Sequence, residues 1–294
     1  MFDSIAQDIP YHTLIDSPSV HLDLKRLDLV HPHISGNKFY KLKYNLIEAK
    51  KQGFNSILTF GGAFSNHIAA SAYAAHHFQF KSIGIIRGQE LAYRPLNATL
   101  KTAQHYGMQF EFISRDQYRQ KNLPEFLHAL QHKYPSAYII PEGGMNTLAI
   151  QGTKEILSDT DRLNYDVICC AVGKGGTLAG LIEASHQEQY VMGFSALKGD
   201  FLHNEVQRYT NKTNWHILDD YCFGGYAKTS SHLLDFILAF EQKYQIPLEQ
   251  VYTAKMLYGL LDLIQKNYFA QGTRILALHT GGLQGRSHLI GITE

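Results

Sequence analysis

Short apolar runs alternate along this chain with longer segments whose apolar residues recur every three or four positions. The runs are nearly continuous in apolar and β-branched residues, as in parallel strands covered on both faces. The predicted strands are 56–60, 82–87, 109–114, 137–140, 166–172, 190–194 and 274–279. The predicted helices are 37–52, 65–78, 94–106, 116–133, 147–158, 176–186, 229–244 and 255–269. This alternation predicts an α/β protein.

Glycine-rich segments directly follow several of the predicted strands. They are GGAFSN after 56–60, EGGMN after 137–140, GKGGT after 166–172 and TGG after 274–279. In open parallel sheets, ligands bind beyond the carboxyl ends of the strands. We therefore expect these segments to form one shared site.

The segment AVGKGGTLAG, residues 171–180, has the features of a phosphate site. Gly173, Gly175 and Gly176 would allow main-chain N–H groups to approach an anion, and the following helix start adds positive potential. The segment is not a Walker loop, because a glycine follows Lys174, and it fails the dinucleotide pattern, because Leu178 stands at the third glycine position. A turn whose glycines serve packing alone is the alternative interpretation.

The stretch HPHISGNKFYKLKYN, residues 31–45, contains three lysines within six positions of a Ser-Gly-Asn sequence. Lys38 follows Gly36 and Asn37 at a predicted helix start, and Lys41 and Lys43 lie further along the helix. A lysine becomes a nucleophile for a carbonyl carbon when desolvation or nearby cations lower its pKa. Such a lysine together with a phosphate site would suit pyridoxal phosphate, whereas a solvated helix face is the alternative.

Composition and residue spacing argue against several classes of binding partner and indicate a cellular location. The 294 residues carry a formal net charge of +1 and contain no run rich in lysine and arginine, which argues against nucleic acid or an anionic membrane as a partner. The first ten residues lack the apolar stretch of a signal peptide, and three cysteines, two of them adjacent, make a poor disulfide framework, so we expect a cytoplasmic location. No metal ligands are predicted, since the histidines and cysteines lack metal-site spacing.

Several motifs occur in one order along nearly the whole chain: SGNKFYKLKYN, TFGGAFSNH, IIPEGGMNTLAIQG, VGKGGTLAGLI, VYTAKMLYGLLDLI and HTGG. They resemble the aminocyclopropane-carboxylate deaminase and D-cysteine desulfhydrase family, within the tryptophan-synthase-β-like, fold type II group of pyridoxal phosphate enzymes. The resemblance implies two α/β domains, each with a mostly parallel sheet flanked by helices, with pyridoxal 5'-phosphate in the cleft between them. The smaller domain would cover 48–145 and the larger 1–47 and 146–294, and a homodimer is usual for the group.

The resemblance also implies roles for individual residues. Lys38 matches the lysine that binds the cofactor covalently, which leaves Lys41 and Lys43 as helix-surface or packing residues. Asn66 would meet the phenolic oxygen of the cofactor, and Ser65 the substrate carboxylate or α-carbon. The residues implied to hold the phosphate are Gly173, Gly175, Gly176 and Thr177.

Further matches concern the substrate. His67 would lie beside the carboxylate site, and Tyr226 and Tyr252 match tyrosines that face the substrate. Lys174 departs from the serine or threonine usual at its position, so it either adds a cation near the phosphate or points outward.

Residue 253 bears on the reaction. The deaminases resembled here have an acidic residue directly after the substrate-facing tyrosine, placed to protonate the pyridine nitrogen, whereas this chain has Thr253. A neutral hydroxyl, from Thr253 or, in preference, from Thr280 as a cofactor-binding residue, suits elimination of a good leaving group better than ring opening. We therefore expect a lyase resembling D-cysteine desulfhydrase, with a small amino acid as substrate.

Other functions use the same residues. A 1-aminocyclopropane-1-carboxylate deaminase or another amino-acid racemase or dehydratase would need the same lysine and phosphate site. A pyridoxal phosphate binding regulatory protein without enzymatic activity is a further alternative, although the intact Lys38, Ser65 and Asn66 argue against it.

Overall fold

The computed structural model describes residues 1–286 and contains two sheets flanked by helices. The strands are β1 (Tyr11–Asp16), β2 (Val20–Lys25), β3 (Ser56–Gly61), β4 (Lys81–Arg87), β5 (Met108–Ile113), β6 (Ala137–Ile140), β7 (Val167–Val172), β8 (Tyr190–Ser195), β9 (Trp215–Leu218) and β10 (Thr273–Leu278). The helices are α1 (Asn37–Lys51), α2 (Asn66–His77), α3 (Ala98–His105), α4 (Arg115–Arg119), α5 (Pro124–Lys133), α6 (Thr147–Lys154), α7 (Asp159–Asn164), α8 (Gly176–Ala184), α9 (Phe201–Gln207), α10 (Ser231–Tyr244) and α11 (Thr253–Gln265).

The ten strands form two separate sheets, of six and four strands. The larger sheet has the order β1-β2-β10-β7-β8-β9, and the smaller has the order β5-β4-β3-β6. All neighbouring strands are parallel except β1 and β2. The predicted fold class, α/β with two mostly parallel sheets, is confirmed. The boundaries at residues 48 and 145 stay predictions, although all four strands of the smaller sheet lie between them.

Strand β7 is apolar throughout because it is buried on both faces of the larger sheet. All six of its residues are buried. Ile168, Cys170 and Val172 pack into one hydrophobic cluster, which includes residues of α1 and α8. Val167, Cys169 and Ala171 pack into another, which includes residues of α10 and α11. Alternate side chains thus enter cores on opposite faces of the sheet.

Sequence periodicity missed β1, β2, β9, α7 and α9, and β2 shows the reason most clearly. Its sequence VHLDLK alternates apolar with polar residues, yet Asp23 and Lys25 are both buried. Lys25 Nζ lies 2.5 Å from a carboxylate oxygen of Asp161, and Asp23 accepts a hydrogen bond from the Tyr165 hydroxyl at 2.6 Å. A pattern of apolar residues does not identify such a strand as part of the core, because its buried polar residues look like exposed ones in the sequence.

The helix predicted over 116–133 is two helices, because a proline interrupts it. Pro124 is the first residue of α5, where its missing N–H costs nothing, since the first N–H groups of a helix have no partner within the helix. The helix predicted over 147–158 likewise ends at Lys154, and α7 follows from Asp159. No helix within residues 1–286 is long and apolar enough to cross a membrane.

Helix α6 packs between α1 and α8, and two glycines permit the close approach. A Cβ at Gly152 would overlap the main-chain oxygen of Tyr40 in α1, and one at Gly180 would overlap the Thr153 hydroxyl in α6. The start of α1 and the start of α8 are therefore fixed relative to each other through α6.

We expect Gly152→Ala to lower the free energy of unfolding by about 1–3 kcal/mol or more, because a main-chain oxygen moves only if the helices separate. Urea unfolding followed by circular dichroism measures the change. The control is Gln151→Ala, at the exposed neighbouring position of α6. Equal stability of the two variants would contradict this account of the helix packing.

Candidate active site

The first turn of α1 lies directly against the segment that follows β10. Gly36 has a φ of 65°, and a Cβ there would overlap the main-chain oxygen of Thr280. The Asn37 N–H donates to the same oxygen at 3.2 Å. Only glycine allows this approach, since it lacks a Cβ and tolerates positive φ. Thr280 and the helix start that carries Lys38 are therefore brought together.

Lys38, the second residue of α1, has an amine in surroundings that disfavour its charge. Desolvation lowers its pKa to about 8, and the negative charge of Glu249 partly opposes the shift. Its Nζ donates to Asn37 Oδ1 at 2.7 Å. A substantial fraction of the amine is thus neutral near pH 8, as a nucleophile or general base requires.

The turn between β7 and α8 forms a cup at the start of α8. Gly175 precedes α8 with a φ of 81°, and a Cβ there would lie 2.7 Å from a methyl group of Val206. A Cβ at Gly173 would lie 2.8 Å from the Tyr252 ring. The Thr177 hydroxyl in the first turn accepts a hydrogen bond from the Asn37 side chain at 2.8 Å. The predicted phosphate cup is therefore tied directly to the residue before Lys38.

Lys41 also belongs to this region, and its burial excludes the first of its two predicted placements, helix surface or packing. It is 4% exposed, and its Nζ lies 3.5 Å from where a Cβ of Gly176 would be. Desolvation, followed by the charge of Lys38, lowers its pKa to about 7. The three-residue spacing between Lys38 and Lys41 was the available sequence signal, because residues at that spacing share a helix face. Lys43 is buried too.

Lys43 of α1 and Lys174 of the cup are both paired with carboxylates. Lys43 Nζ lies 2.6 Å from Asp3 and 2.7 Å from Glu155, so it serves packing at the start of the chain. Lys174 Nζ lies 3.0 Å from a carboxylate oxygen of Glu142, and its side chain is 55% exposed. Lys174 therefore points outward from the cup, the second of its two predicted placements.

The segment after β3 places Ser65 and Asn66 at the start of α2. Ser65 is the N-cap residue, and its hydroxyl accepts a hydrogen bond from the Ile68 N–H at 3.3 Å. Asn66 Oδ1 is buried and has no hydrogen-bond partner within residues 1–286. A Cβ at Gly282 would lie 2.8 Å from Asn66 Nδ2. The amide thus lies between the start of α2 and the segment after β10.

His67 is turned into the protein interior. Its Nε2 lies 2.8 Å from the Thr59 hydroxyl, which itself donates to the Ile140 carbonyl, so Nε2 carries the hydrogen. Nδ1 is buried and unpartnered in the described part of the chain. Desolvation, followed by the charges of Lys38 and Lys41, holds the pKa of His67 well below its usual range, so the ring is neutral. Its contact with a substrate stays a prediction.

A buried carboxylate that sequence reasoning missed organises the start of α11. Glu249 accepts hydrogen bonds from the N–H groups of Val251 at 2.6 Å, Tyr252 at 2.8 Å and Thr253 at 2.5 Å. An acidic residue just before a helix start was the available signal. Burial raises the pKa of Glu249 despite these hydrogen bonds. The ring of Tyr252 lies 6.1 Å from that of Tyr226, between ring centres.

The hydroxyl of Thr253 is buried at the start of α11. Its Oγ1 is buried and, among residues 1–286, has no hydrogen-bond partner. Unsatisfied buried polar atoms are rare in folded proteins, so such an atom marks a place where a water molecule or a ligand can bind. Thr253 and Asn66 both have this property.

These features fit pyridoxal phosphate. The glycine cup and the Lys41 amine suit a phosphate group, the unpartnered oxygen atoms of Asn66 and Thr253 mark where polar ring substituents would bind, and Lys38 offers an amine for an aldehyde. The two parallel sheets and this set of groups define the class of fold type II pyridoxal phosphate enzymes. The chain belongs to the family described as pyridoxal-phosphate dependent enzyme, whose model matches residues 13–281.

Individual relatives carry two activity names. A Thermotoga maritima protein named "Putative 1-aminocyclopropane-1-carboxylate deaminase" is 32% identical over 89% of this chain and 88% of its own length. An Arabidopsis thaliana protein named as a bifunctional mitochondrial D-cysteine desulfhydrase and 1-aminocyclopropane-1-carboxylate deaminase is 30% identical over 89% of this chain and 72% of its own. A crystal structure described as an ACC deaminase homologue superposes with a TM-score of 0.81 at 26% identity, covering 97% of this chain and 92% of that one.

We expect Lys41→Met to raise the dissociation constant for pyridoxal phosphate about ten- to a hundredfold, because a charge-assisted hydrogen bond is worth roughly 1.5–3 kcal/mol. Absorbance titration of the cofactor-free protein measures it. Lys174→Met is the matched control, since this lysine adjoins the cup but faces Glu142, and it should bind within threefold of the parent. Equal effects of the two substitutions would exclude Lys41 from the phosphate site.

The lowered pKa of Lys38 predicts how its reactivity changes with pH in the cofactor-free protein. Only the neutral amine reacts with acetic anhydride, so labelling should increase as pH rises through about 8 and then level off. Peptide mass spectrometry separates Lys38 from the other lysines, and a lysine in a short peptide, with a pKa near 10.4, is the reference. A midpoint for Lys38 that matches the peptide would refute the desolvated amine.

Proposed function

We propose that this protein is a lyase that eliminates the thiol group of D-cysteine and forms pyruvate, ammonia and hydrogen sulfide. The observation that carries the proposal is the unpartnered, neutral hydroxyl of Thr253 at the start of α11. The carboxylate nearest to it in the chain, Glu249, is occupied by three main-chain N–H groups. A neutral partner for the pyridine nitrogen makes a weaker electron sink, which suffices for a good leaving group such as a thiol.

Different residues of the chain would bind the cofactor, remove the α-proton and bind the substrate carboxylate. Bound pyridoxal phosphate supplies an electron sink that stabilises negative charge at the substrate α-carbon. Lys38 would hold the cofactor and, when released by the incoming amino acid, remove the α-proton, for which a pKa of about 8 is well placed. Ser65 and the first N–H groups of α2 would hold the substrate carboxylate at the positive end of the helix.

Tyr252 would act on the leaving group. Desolvation, followed by the neighbouring Tyr226, holds its pKa well above the usual range, so the hydroxyl stays protonated. A protonated phenol donates a hydrogen bond, which would stabilise the departing sulfur. The overall reaction consumes one water molecule, and the carbon–sulfur bond breaks without any change of oxidation state that needs a second reactant.

The names of the relatives support this choice among substrates only in part. The Arabidopsis relative bears both activity names, so it does not separate desulfhydration from deamination.

We also propose, from the family resemblance, that the protein is a cytoplasmic homodimer. Sedimentation analysis of the pure protein tests the dimer.

We expect the cofactor-loaded protein to release sulfide, pyruvate and ammonia from D-cysteine and to form little or no 2-oxobutanoate from aminocyclopropane-carboxylate. Because a general-base step contributes roughly a hundred- to ten-thousandfold, L-cysteine should react at least a hundred times more slowly if only the D enantiomer presents its α-hydrogen to Lys38. Methylene blue, lactate dehydrogenase and glutamate dehydrogenase assays measure the three products.

Lys38→Ala is the control, and it should lose both the covalent, reducible cofactor linkage and nearly all turnover. Faster reaction of L-cysteine would overturn the assignment of stereochemistry. Faster turnover of aminocyclopropane-carboxylate than of either cysteine would overturn the argument from Thr253. A yellow protein without any turnover would favour a regulatory role.

A further inference from the structure

The segment that carries Tyr226 has an unusual backbone. Phe223, Gly224, Gly225 and Ala227 all have positive φ, of 51°, 83°, 113° and 55°. Two of them are not glycines, and such conformations persist only when surrounding contacts enforce them. The Tyr226 side chain itself is 51% exposed, so its own packing does not supply that constraint. Something else must hold the segment.

Lys255 supplies the contacts. Its side chain is almost completely buried, at 1% exposure, and its Nζ donates to the main-chain oxygens of Cys222 and Gly225, each at 2.8 Å. No carboxylate lies within 4 Å of this amine in the described part of the chain. Burying an ammonium group without an opposite charge is costly, so the two hydrogen bonds define where it can lie.

The position of Lys255 in α11 links this contact to the candidate active site. The first turn of α11 contains Thr253 and Lys255, and Tyr252 immediately precedes it. Tyr252 packs against Gly173 of the phosphate cup. Lys255 donates hydrogen bonds to the main-chain oxygens of Cys222 and Gly225, the first and last residues of the turn before Tyr226. One helical turn thereby fixes both tyrosines, whose ring centres are 6.1 Å apart.

We infer that Lys255 is a positioning residue that holds Tyr226 against Tyr252 and so shapes the pocket for the substrate side chain. This inference rests on the proposed function, because it takes Tyr226 as a residue that faces the substrate. Lys255 does not itself touch substrate or cofactor; it acts through the main chain at residues 222–225.

A second lysine provides a matched control for a purely structural role. Lys212 Nζ donates to the main-chain oxygens of Ile182, Glu183 and Ser185, at 2.9, 3.0 and 2.6 Å. This is the same kind of interaction, but it lies at the end of α8 opposite the phosphate cup. Removing either amine should lower stability, and only Lys255 should affect the substrate.

The experiment compares the cofactor-loaded parent with Lys255→Met, Lys212→Met, Tyr226→Ala and the double variant of Lys255 and Tyr226. We expect Lys255→Met to lower kcat/KM for D-cysteine about a hundredfold, as a displacement of roughly 1 Å does, while the dissociation constant of the cofactor stays within threefold. Lys212→Met should keep kcat and KM within twofold of the parent. In the Tyr226→Ala background, Lys255→Met should cost less than threefold, because the residue through which it acts is gone.

Hydrogen exchange provides a second measurement that does not depend on turnover. Amide exchange of residues 222–228 should increase in Lys255→Met and not in Lys212→Met. If the parent releases no sulfide from D-cysteine, the proposed function fails, while this measurement still decides whether Lys255 holds the segment. Should the methionine variant not fold, Lys255→Gln, which reaches at most one of the two carbonyls, is expected to give a smaller loss in the same direction.

The inference is overturned by any of three results. The first is parental kcat/KM in Lys255→Met. The second is a loss of full size in the Tyr226→Ala background, which would mean that the two residues act independently. The third is unchanged exchange of residues 222–228.

Discussion

The candidate site depends on the absence of a side chain at residue 36. Because any Cβ there would overlap the Thr280 carbonyl, the first turn of α1 lies directly against the end of β10. The Asn37 side chain extends this contact to Thr177 at the start of α8. Three distant parts of the chain are thereby held together around Lys38, and the packing of α6 between α1 and α8 keeps them so.

Desolvation of amines is the second property that organises this region. Within residues 1–286, Lys38 and Lys41 are desolvated without a carboxylate in salt-bridge contact, and the charge of Lys38 further lowers the pKa of Lys41. A phosphate group would restore the charge of Lys41 while leaving Lys38 partly neutral. The same fold thus separates an amine suited to binding an anion from an amine suited to reaction, although the two lie on one helix face.

The sequence predicted the fold class and the parallel strands because those strands, β7 above all, are apolar on both faces. It did not predict β2, whose Asp23 and Lys25 are buried through hydrogen bonds and an ion pair that periodicity does not represent. For the site, motif resemblance was sufficient to single out Lys38, Asn66 and the glycines. For Lys41 and Glu249 the sequence held only weak signals, helix spacing and an acidic residue before a helix start, because burial and main-chain contacts form only in the folded chain.

The place of β10 in the larger sheet has a consequence for biosynthesis. Of the strands within residues 1–286, β10 is the last to be synthesised, yet it lies between β2 and β7, in the interior of the sheet. The smaller sheet, whose strands all lie within 56–140, can assemble while the ribosome is still translating the rest. The hairpin of β1 and β2, by contrast, gains its parallel neighbour only after Leu278 has been synthesised, so the larger sheet is completed later than the smaller one.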